Sequence, residues 1–242
     1  MRDQLSFCLL QIRNAADPVK GHEFDCFVRR LEVAPEQVTS VDVLTDALDE
    51  GLYEQYDAVL IGGSGEYSVL DRVDPIQRLL RFVGETAERG FPTFGSCFGF
   101  QAMSLALGGE VVHDPVRAEV GTYEVGLTDH GPRDELFGRL PVRFAAQQGH
   151  KDHVTRLPSS ARHLANSSRS EFQAARFGDE LVWATQFHPE LTLEDNRQRV
   201  FIYQERYVDR LDEVLDMLRP SHDTHGLLAC FADIVAERKA SE

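Results

Sequence analysis

Basic residues are scarce in this sequence: 25 Lys and Arg stand against 40 Asp and Glu, a formal net charge of −15. Nucleic-acid binding depends on basic surface, so the balance argues against that class of partner. Cysteine is sparse too. Cys8, Cys26, Cys97 and Cys230 have neither the close spacing of a metal site nor the framework of a disulfide-stapled domain, and a reactive thiol among them requires a reducing compartment. The cytoplasm is therefore the expected location. The apolar run Leu5 to Ile12 is far too short to span a bilayer and too short for the core of a signal peptide, which leaves it as the first core strand and removes membrane partners from the reading. No P-loop, internal repeat, low-complexity block or Pro-rich linker is present. One domain over residues 1–242 is expected, long enough for a two-sided core. His113, His130, His153, His163, His222 and His225 form no compact ligand pattern and read as solvent-facing or loop residues, so neither a structural metal nor a cofactor is expected.

What is present alternates. Leu5 to Ile12 reads as a strand, His22 to Val33 as a helix and Tyr56 to Ile61 as a strand. A further helix runs from Pro75, with Asp74 as its N-cap, Ile76, Leu79, Leu80 and Val83 at helical spacing, and Gly90 at its end. Phe91 to Phe94 and Phe100 to Leu107 give another strand–helix unit. The pattern is that of an α/β fold with an open, mostly parallel sheet flanked by helices, flavodoxin-like, whose chemistry collects at the carboxyl ends of the strands. From Val111 the pattern becomes strand-rich: Val111–Val112, Tyr123–Leu127, Val142–Gln147, His163–Ser167, Phe172–Phe177 and Leu181–Gln186. The tail, residues 194–242, reads as helices packed on the rest. Val200, Tyr203, Tyr207, Val208, Leu211, Val214, Leu215 and Leu218 come before a break at Pro220; Leu227, Leu228, Phe231 and Ile234 come after it. The stretch Glu194 to Arg219 is a candidate lid over the active-site mouth or dock for a partner.

Three segments carry chemistry. Cys97 sits in Gly95-Ser96-Cys97-Phe98-Gly99-Phe100-Gln101, where a strand hands over to a helix; flanking glycines permit a tight turn, and the helix N-terminus favours a thiolate. A nucleophile is the reading, against a small buried hydrophobe. In Gln186-Phe187-His188-Pro189-Glu190 a strand runs out into a turn stopped by Pro189, and His188 and Glu190 fall on one side if the chain stays extended. That makes a base and its orienter. Gly62-Gly63-Ser64-Gly65-Glu66 follows the strand Tyr56 to Ile61 and exposes backbone N–H groups that can face an oxyanion, or forms an ordinary βα turn.

In this order the three segments resemble the class I, or triad, glutamine amidotransferases. Gly149-His150-Lys151-Asp152-His153-Val154-Thr155-Arg156-Leu157-Pro158 also looks like a stretch of that family, and Ala165-Asn166-Ser167 falls where the family has a short strand. The free-standing branch similar to the glutaminase domain of GMP synthase looks closest, helped by Glu119-Val120-Gly121 and Tyr123 to Thr128. The resemblance implies the fold of those amidotransferases, with Cys97, His188 and Glu190 catalytic. Cys97 attacks the side-chain amide of glutamine and forms a γ-glutamyl thioester, His188 moves the protons and Glu190 holds the imidazole. The amides of Gly63 and Phe98 are the expected oxyanion donors; removing one such donor costs around 3 kcal/mol of barrier. Gln101, one helical turn after Cys97, lies on the substrate side. Gly65 and the backbone of Gly149, His150 and Lys151 are implied contacts for the amino-acid head group.

The pattern departs from many relatives at Gly149 and Lys151, where serine and glycine are usual; a lysine there favours a carboxylate. With no second domain-sized segment for a synthase, ammonia would pass to an acceptor or a partner synthetase subunit. Two other readings stay open: a stand-alone hydrolase of γ-glutamyl peptides or amines, and a non-catalytic regulatory protein on the same fold, against which the intact triad argues.

Overall fold

The computed structural model describes residues 2–207 and 211–241; Val208, and the side chain of Tyr207, lie outside the described residues. The backbone is a mixed nine-stranded sheet with helices on both faces. Its first half is parallel. Strands β1 (Phe7–Ile12), β2 (Val38–Asp42), β3 (Ala58–Ser64), β4 (Thr93–Ser96) and β11 (Val182–Thr185) run side by side in the order β2-β1-β3-β4-β11. The sheet then continues antiparallel through β10 (Ala174–Phe177), β9 (Ala161–Ser167), β6 (Glu119–Leu127) and β7 (Arg143–His150). This wing is the expected strand-rich half. A separate ribbon pairs β5 (Glu110–His113) with β8 (Asp152–Arg156).

Alternation along the strands explains the two layers. On β1, Phe7 and Leu9 join a core shared with Phe27 and Leu31 of α1 (Val19–Leu31) and Leu228 and Phe231 of α7 (Leu227–Lys239). Cys8, Leu10 and Ile12 point the other way, into a second core with Ile76, Leu79 and Val83 of α3 (Asp74–Glu88) and Met103 of α4 (Phe98–Ala106). Side chains two apart thus share a face, and both faces are sealed.

Several expectations need correction. Asp74 is not the N-cap of α3: Val73 holds that position, no side chain caps the helix, and the Asp74 carboxylate pairs with Arg78 one turn on. Pro75 supplies the start without a cap, since it has no N–H to satisfy. β2 and the short α2 (Gly51–Gln55) have too few apolar residues to announce themselves. His153 is not on the surface; it is buried on β8, where desolvation lowers its pKa to about 4.

The tail divides in two. α5 (Leu193–Ile202) starts on a capping box, with Thr192 Oγ1 accepting from the Asp195 N–H and the Asp195 carboxylate accepting from the Thr192 N–H. α6 (Leu211–Met217) leans on β6, where Met217 would meet any side chain at Gly121. Beyond Pro220, α7 is core.

Candidate active site

Cys97 joins β4 to α4 with φ 52° and ψ −95°. Such a backbone costs a side-chain-bearing residue on the order of 1–3 kcal/mol, and its surroundings impose it. The Cys97 N–H donates to the Thr185 carbonyl (2.8 Å) at the end of the β4–β11 ladder, and the chain turns at once into α4. That turn requires its two glycines: a Cβ on Gly95 would lie 2.8 Å from the Gly99 carbonyl carbon, and one on Gly99 would lie 2.8 Å from the Ile61 carbonyl oxygen. The sulfur is 3.7 Å from Gln186 Nε2.

β11 delivers the second group. The His188 N–H donates to the Gln147 carbonyl (2.9 Å), which anchors it to β7, and its Nδ1 is 2.7 Å from Glu190 Oε1. A carboxylate only accepts, so Nδ1 carries a hydrogen and Nε2 is left free of Glu190, beside the cavity that Cys97 also lines. Glu190 is fully buried and held from two further sides, by Ser96 Oγ donating to Oε2 (2.8 Å) and by Arg199 Nη1 at 3.5 Å from Oε1. Burial opposes charge on His188, but Glu190 and the Cys97 sulfur outweigh it and raise its pKa to about 9. Burial likewise opposes charge on Glu190, and His188, followed by Arg199, outweighs it and lowers the carboxyl to about 2. His188 and Glu190 are thus a buried ion pair beside a cysteine.

Two cavities meet at Cys97. One, of about 230 Å³, is lined by Phe98, Gln101, Gly65 and the segment Gly149 to Asp152. The other, of about 70 Å³, is lined by His188, Gly63, Asn196, Arg199 and Tyr203. Ser64, Gly65, Cys97 and Gly149 belong to both.

The remaining candidates fall around these cavities. Phe98 opens α4, so its N–H has no partner within the helix. Gln101 is buried and donates through Nε2 to the Asp152 carbonyl (3.0 Å) and to Gln186 Oε1 (3.2 Å). His150 lines the larger cavity, but Nε2 is 3.0 Å from Glu119 Oε2 and Nδ1 is 3.0 Å from the Asp152 carbonyl, so both ring nitrogens face protein acceptors. Lys151 lies exposed at the rim. At Gly149 a Cβ would stand 3.6 Å from His188 Nε2, an ordinary van der Waals contact, so the position tolerates a side chain there. Gly63, at the end of β3, sits against His188, and its N–H donates to Oε1 of the buried Glu23 carboxylate (3.1 Å).

Among the described residues one group has the atoms of a metal site: His22, Cys26 and Asp195. Arg29 already fills it, donating to Asp195 Oδ2 (2.6 Å) and lying 3.4 Å from the Cys26 sulfur. A cation therefore stands where an ion would bind.

A model of the class-I glutamine amidotransferase family matches residues 25–204. The chain belongs to that family. Among curated relatives of this amidotransferase, a glutamine-hydrolysing GMP synthase subunit from Methanothermobacter thermautotrophicus is 31% identical over 202 residues, 81% of this chain and 95% of that protein. The subunit of the same name from Sulfurisphaera tokodaii is 31% identical over 150 residues, covering 62% of this chain and 76% of its own. A glutamine amidotransferase from Thermotoga maritima superposes with a TM-score of 0.76 at 20% identity, covering 96% of this chain and 98% of that one. The last likeness is one of fold.

Four parts of this amidotransferase's site do not stand out in the sequence. Ser96 has a signal, being the residue before Cys97 at the end of β4. Gln186 lies inside the His188 motif without an evident role. Arg199 and the Arg13–Glu23 pair have none, because only the fold brings α5, β1 and α1 to the strand ends.

Proposed function

We propose that this amidotransferase hydrolyses the side-chain amide of glutamine through a thioester on Cys97 and releases ammonia for an acceptor held by a partner. One observation carries the reading: a cysteine on a strained strand-to-helix turn lies beside a histidine whose far nitrogen is 2.7 Å from a buried carboxylate. The division of the cavities supports it. The leaving amine must sit by the proton donor, and only the smaller cavity includes His188; the acyl part must sit by the Phe98 amide and Gln101, which line only the larger one. The smaller cavity has room for ammonia and an attacking water.

The chemistry balances. The Cys97 thiolate adds to the amide carbon while the carbonyl π pair moves to oxygen; the C–N bond breaks as His188 protonates nitrogen, and ammonia leaves. Water then adds to the thioester, His188 takes its proton, the C–S bond breaks and glutamate departs. The relatives named as parts of GMP synthase support a synthetase as the consumer of the ammonia. The test is release of glutamate and ammonia from glutamine, with a γ-glutamyl mass added to Cys97. Loss of both in Cys97→Ala is expected, and glutamine turnover surviving that substitution refutes the reading.

A further inference from the structure

His188 is aimed by Glu190, and the carboxylate that aims it must itself be held. Oε1 faces His188 Nδ1 at 2.7 Å. At Oε2 the Ser96 hydroxyl donates at 2.8 Å, from a side chain with no solvent exposure. We propose that Ser96 is a positioning residue for this site: its hydroxyl fixes the Glu190 carboxylate with one oxygen toward His188, and so ties the orienting group to the strand that carries Cys97. The inference rests on the amidotransferase reading above.

The strand pairing shows why a hydroxyl stands here. β4 and β11 pair Phe94 with Trp183 and then Ser96 with Thr185, so along one face of the sheet a large apolar pair is followed by two hydroxyls. A buried hydroxyl is costly unless bonded. Thr185 Oγ1 donates to the Phe187 carbonyl (2.7 Å), which pins the approach to His188, and Ser96 Oγ reaches Glu190 beyond it. The two hydroxyls thus hold the residue before His188 and the residue two after it.

The proton on Ser96 has one place to go. Its oxygen is 2.8 Å from Glu190 Oε2 and 3.4 Å from His188 Nδ1, and Nδ1 carries its own hydrogen, so the O–H points to the carboxylate and a lone pair is left toward the ring. One hydroxyl therefore touches both halves of the ion pair. Arg199 does not duplicate it. Its Nη1 stands 3.5 Å from Oε1, the oxygen His188 already uses, and its Nε and Nη2 have no hydrogen-bond partner among the described residues. Arg199 supplies charge, and Ser96 supplies direction. The hold extends to the nucleophile, because Ser96 and Cys97 share a peptide whose N–H donates to the Thr185 carbonyl (2.8 Å). Backbone and side chain thus fasten the turn to β11 and to Glu190 within one residue of Cys97.

A double-mutant cycle on the full chain tests the role. Ser96→Ala should lower kcat for glutamine by about 10- to 100-fold, the worth of a hydrogen bond to a charged group, with KM nearly unchanged. In a Glu190→Gln background the same substitution should cost less than about threefold more, because its route to His188 is already broken. Equal losses in both backgrounds, or no loss in the first, overturn the proposal. Proton NMR reads the contact without substrate: the downfield His188 Nδ1 proton of the wild type should shift and exchange faster in Ser96→Ala, and stay in place in Ser96→Thr, which keeps the hydroxyl. A resonance unmoved in folded Ser96→Ala, or moved alike in both variants, overturns it as well. If the wild type releases no glutamate from glutamine, the amidotransferase reading fails by itself, and the proton spectra still decide whether Ser96 holds Glu190.

Discussion

At the scale of single residues, Glu190 decides most. Its carboxylate is the main influence raising His188 to about 9, so the charged pair persists until pH rises through that value. Glu190→Gln should lower kcat/KM for glutamine by about 10²- to 10⁴-fold and move the alkaline limb of its pH profile down toward the ordinary imidazole value, which steady-state rates from pH 6 to pH 10 would reveal. Stability follows with a definite sign. The raised His188 pKa contributes fully below 6.5 and is lost as pH rises through about 9, while the lowered Glu190 pKa contributes above 4.5 and is lost as pH falls through about 2. The stability difference between the wild type and Glu190→Gln should thus be largest between 4.5 and 6.5 and shrink at pH 9, as urea unfolding at the three pH values measures. Gly99 makes a second residue-scale case. Its absent Cβ would strike the Ile61 backbone oxygen at 2.8 Å, so Gly99→Ala must push α4 off β3. A loss of about 1–3 kcal/mol in denaturant unfolding is expected, together with slower Cys97 alkylation as the turn relaxes. That the segments holding Cys97, His188 and Glu190 end at strand tips was legible in the sequence because strand, turn and glycine signals are local. The direction of the Gly63 amide was not, since it depends on Glu23, forty residues away in the chain and adjacent only through the β1–β3 pairing.

At the scale of elements, α5 forms one wall of the site and joins it to the tail. Its apolar spacing was readable, but its place was not. Nothing local tells that Asn196, Arg199, Val200 and Tyr203 face the Cys97 cavity. The lid expected over Glu194 to Arg219 becomes, for α5, a wall with a wired interior: Arg199 reaches Glu190 and Asn196 Nδ2 donates to Gln147 Oε1 (2.9 Å). How firmly that wall stands depends on its first turn. Thr192 Oγ1 accepts the Asp195 N–H at 3.0 Å, and Asp195 is pinned in turn by His22 and Arg29 of α1. Thr192→Ala should cost about 1 kcal/mol of stability, the ordinary worth of such a cap. Because the loosened helix carries Arg199, activity should fall as well, by less than in Glu190→Gln. A stability loss with kcat/KM unaltered would show that α5 can fray without disturbing Glu190.

At the scale of the whole molecule, the site is held from beneath. β4 and β11 bring Cys97 and His188 together, and both rest on α7: the Phe231 ring lies 5.7 Å from Phe94 on β4 and 6.2 Å from Trp183 on β11. The helical spacing of Leu227, Leu228, Phe231 and Ile234 foretold burial of this last helix, while its partner strands required the topology, since β11 enters the sheet next to β4 from far along the chain. Phe231 is fully buried, so Phe231→Ala removes the ring from both contacts at once. The expected loss is about 3–5 kcal/mol, against a total of about 5–15 kcal/mol for a folded protein. A wedge beneath two strands does more than stabilise. If α7 sets the spacing of nucleophile and base, Phe231→Leu, which keeps most of the volume, should retain far more glutaminase activity than Phe231→Ala even at temperatures where both remain folded by circular dichroism. Equal activity in the two folded variants would mean that the β4–β11 hydrogen bonds alone, among them the one from Cys97 to Thr185, fix the catalytic distance and that α7 supplies stability only.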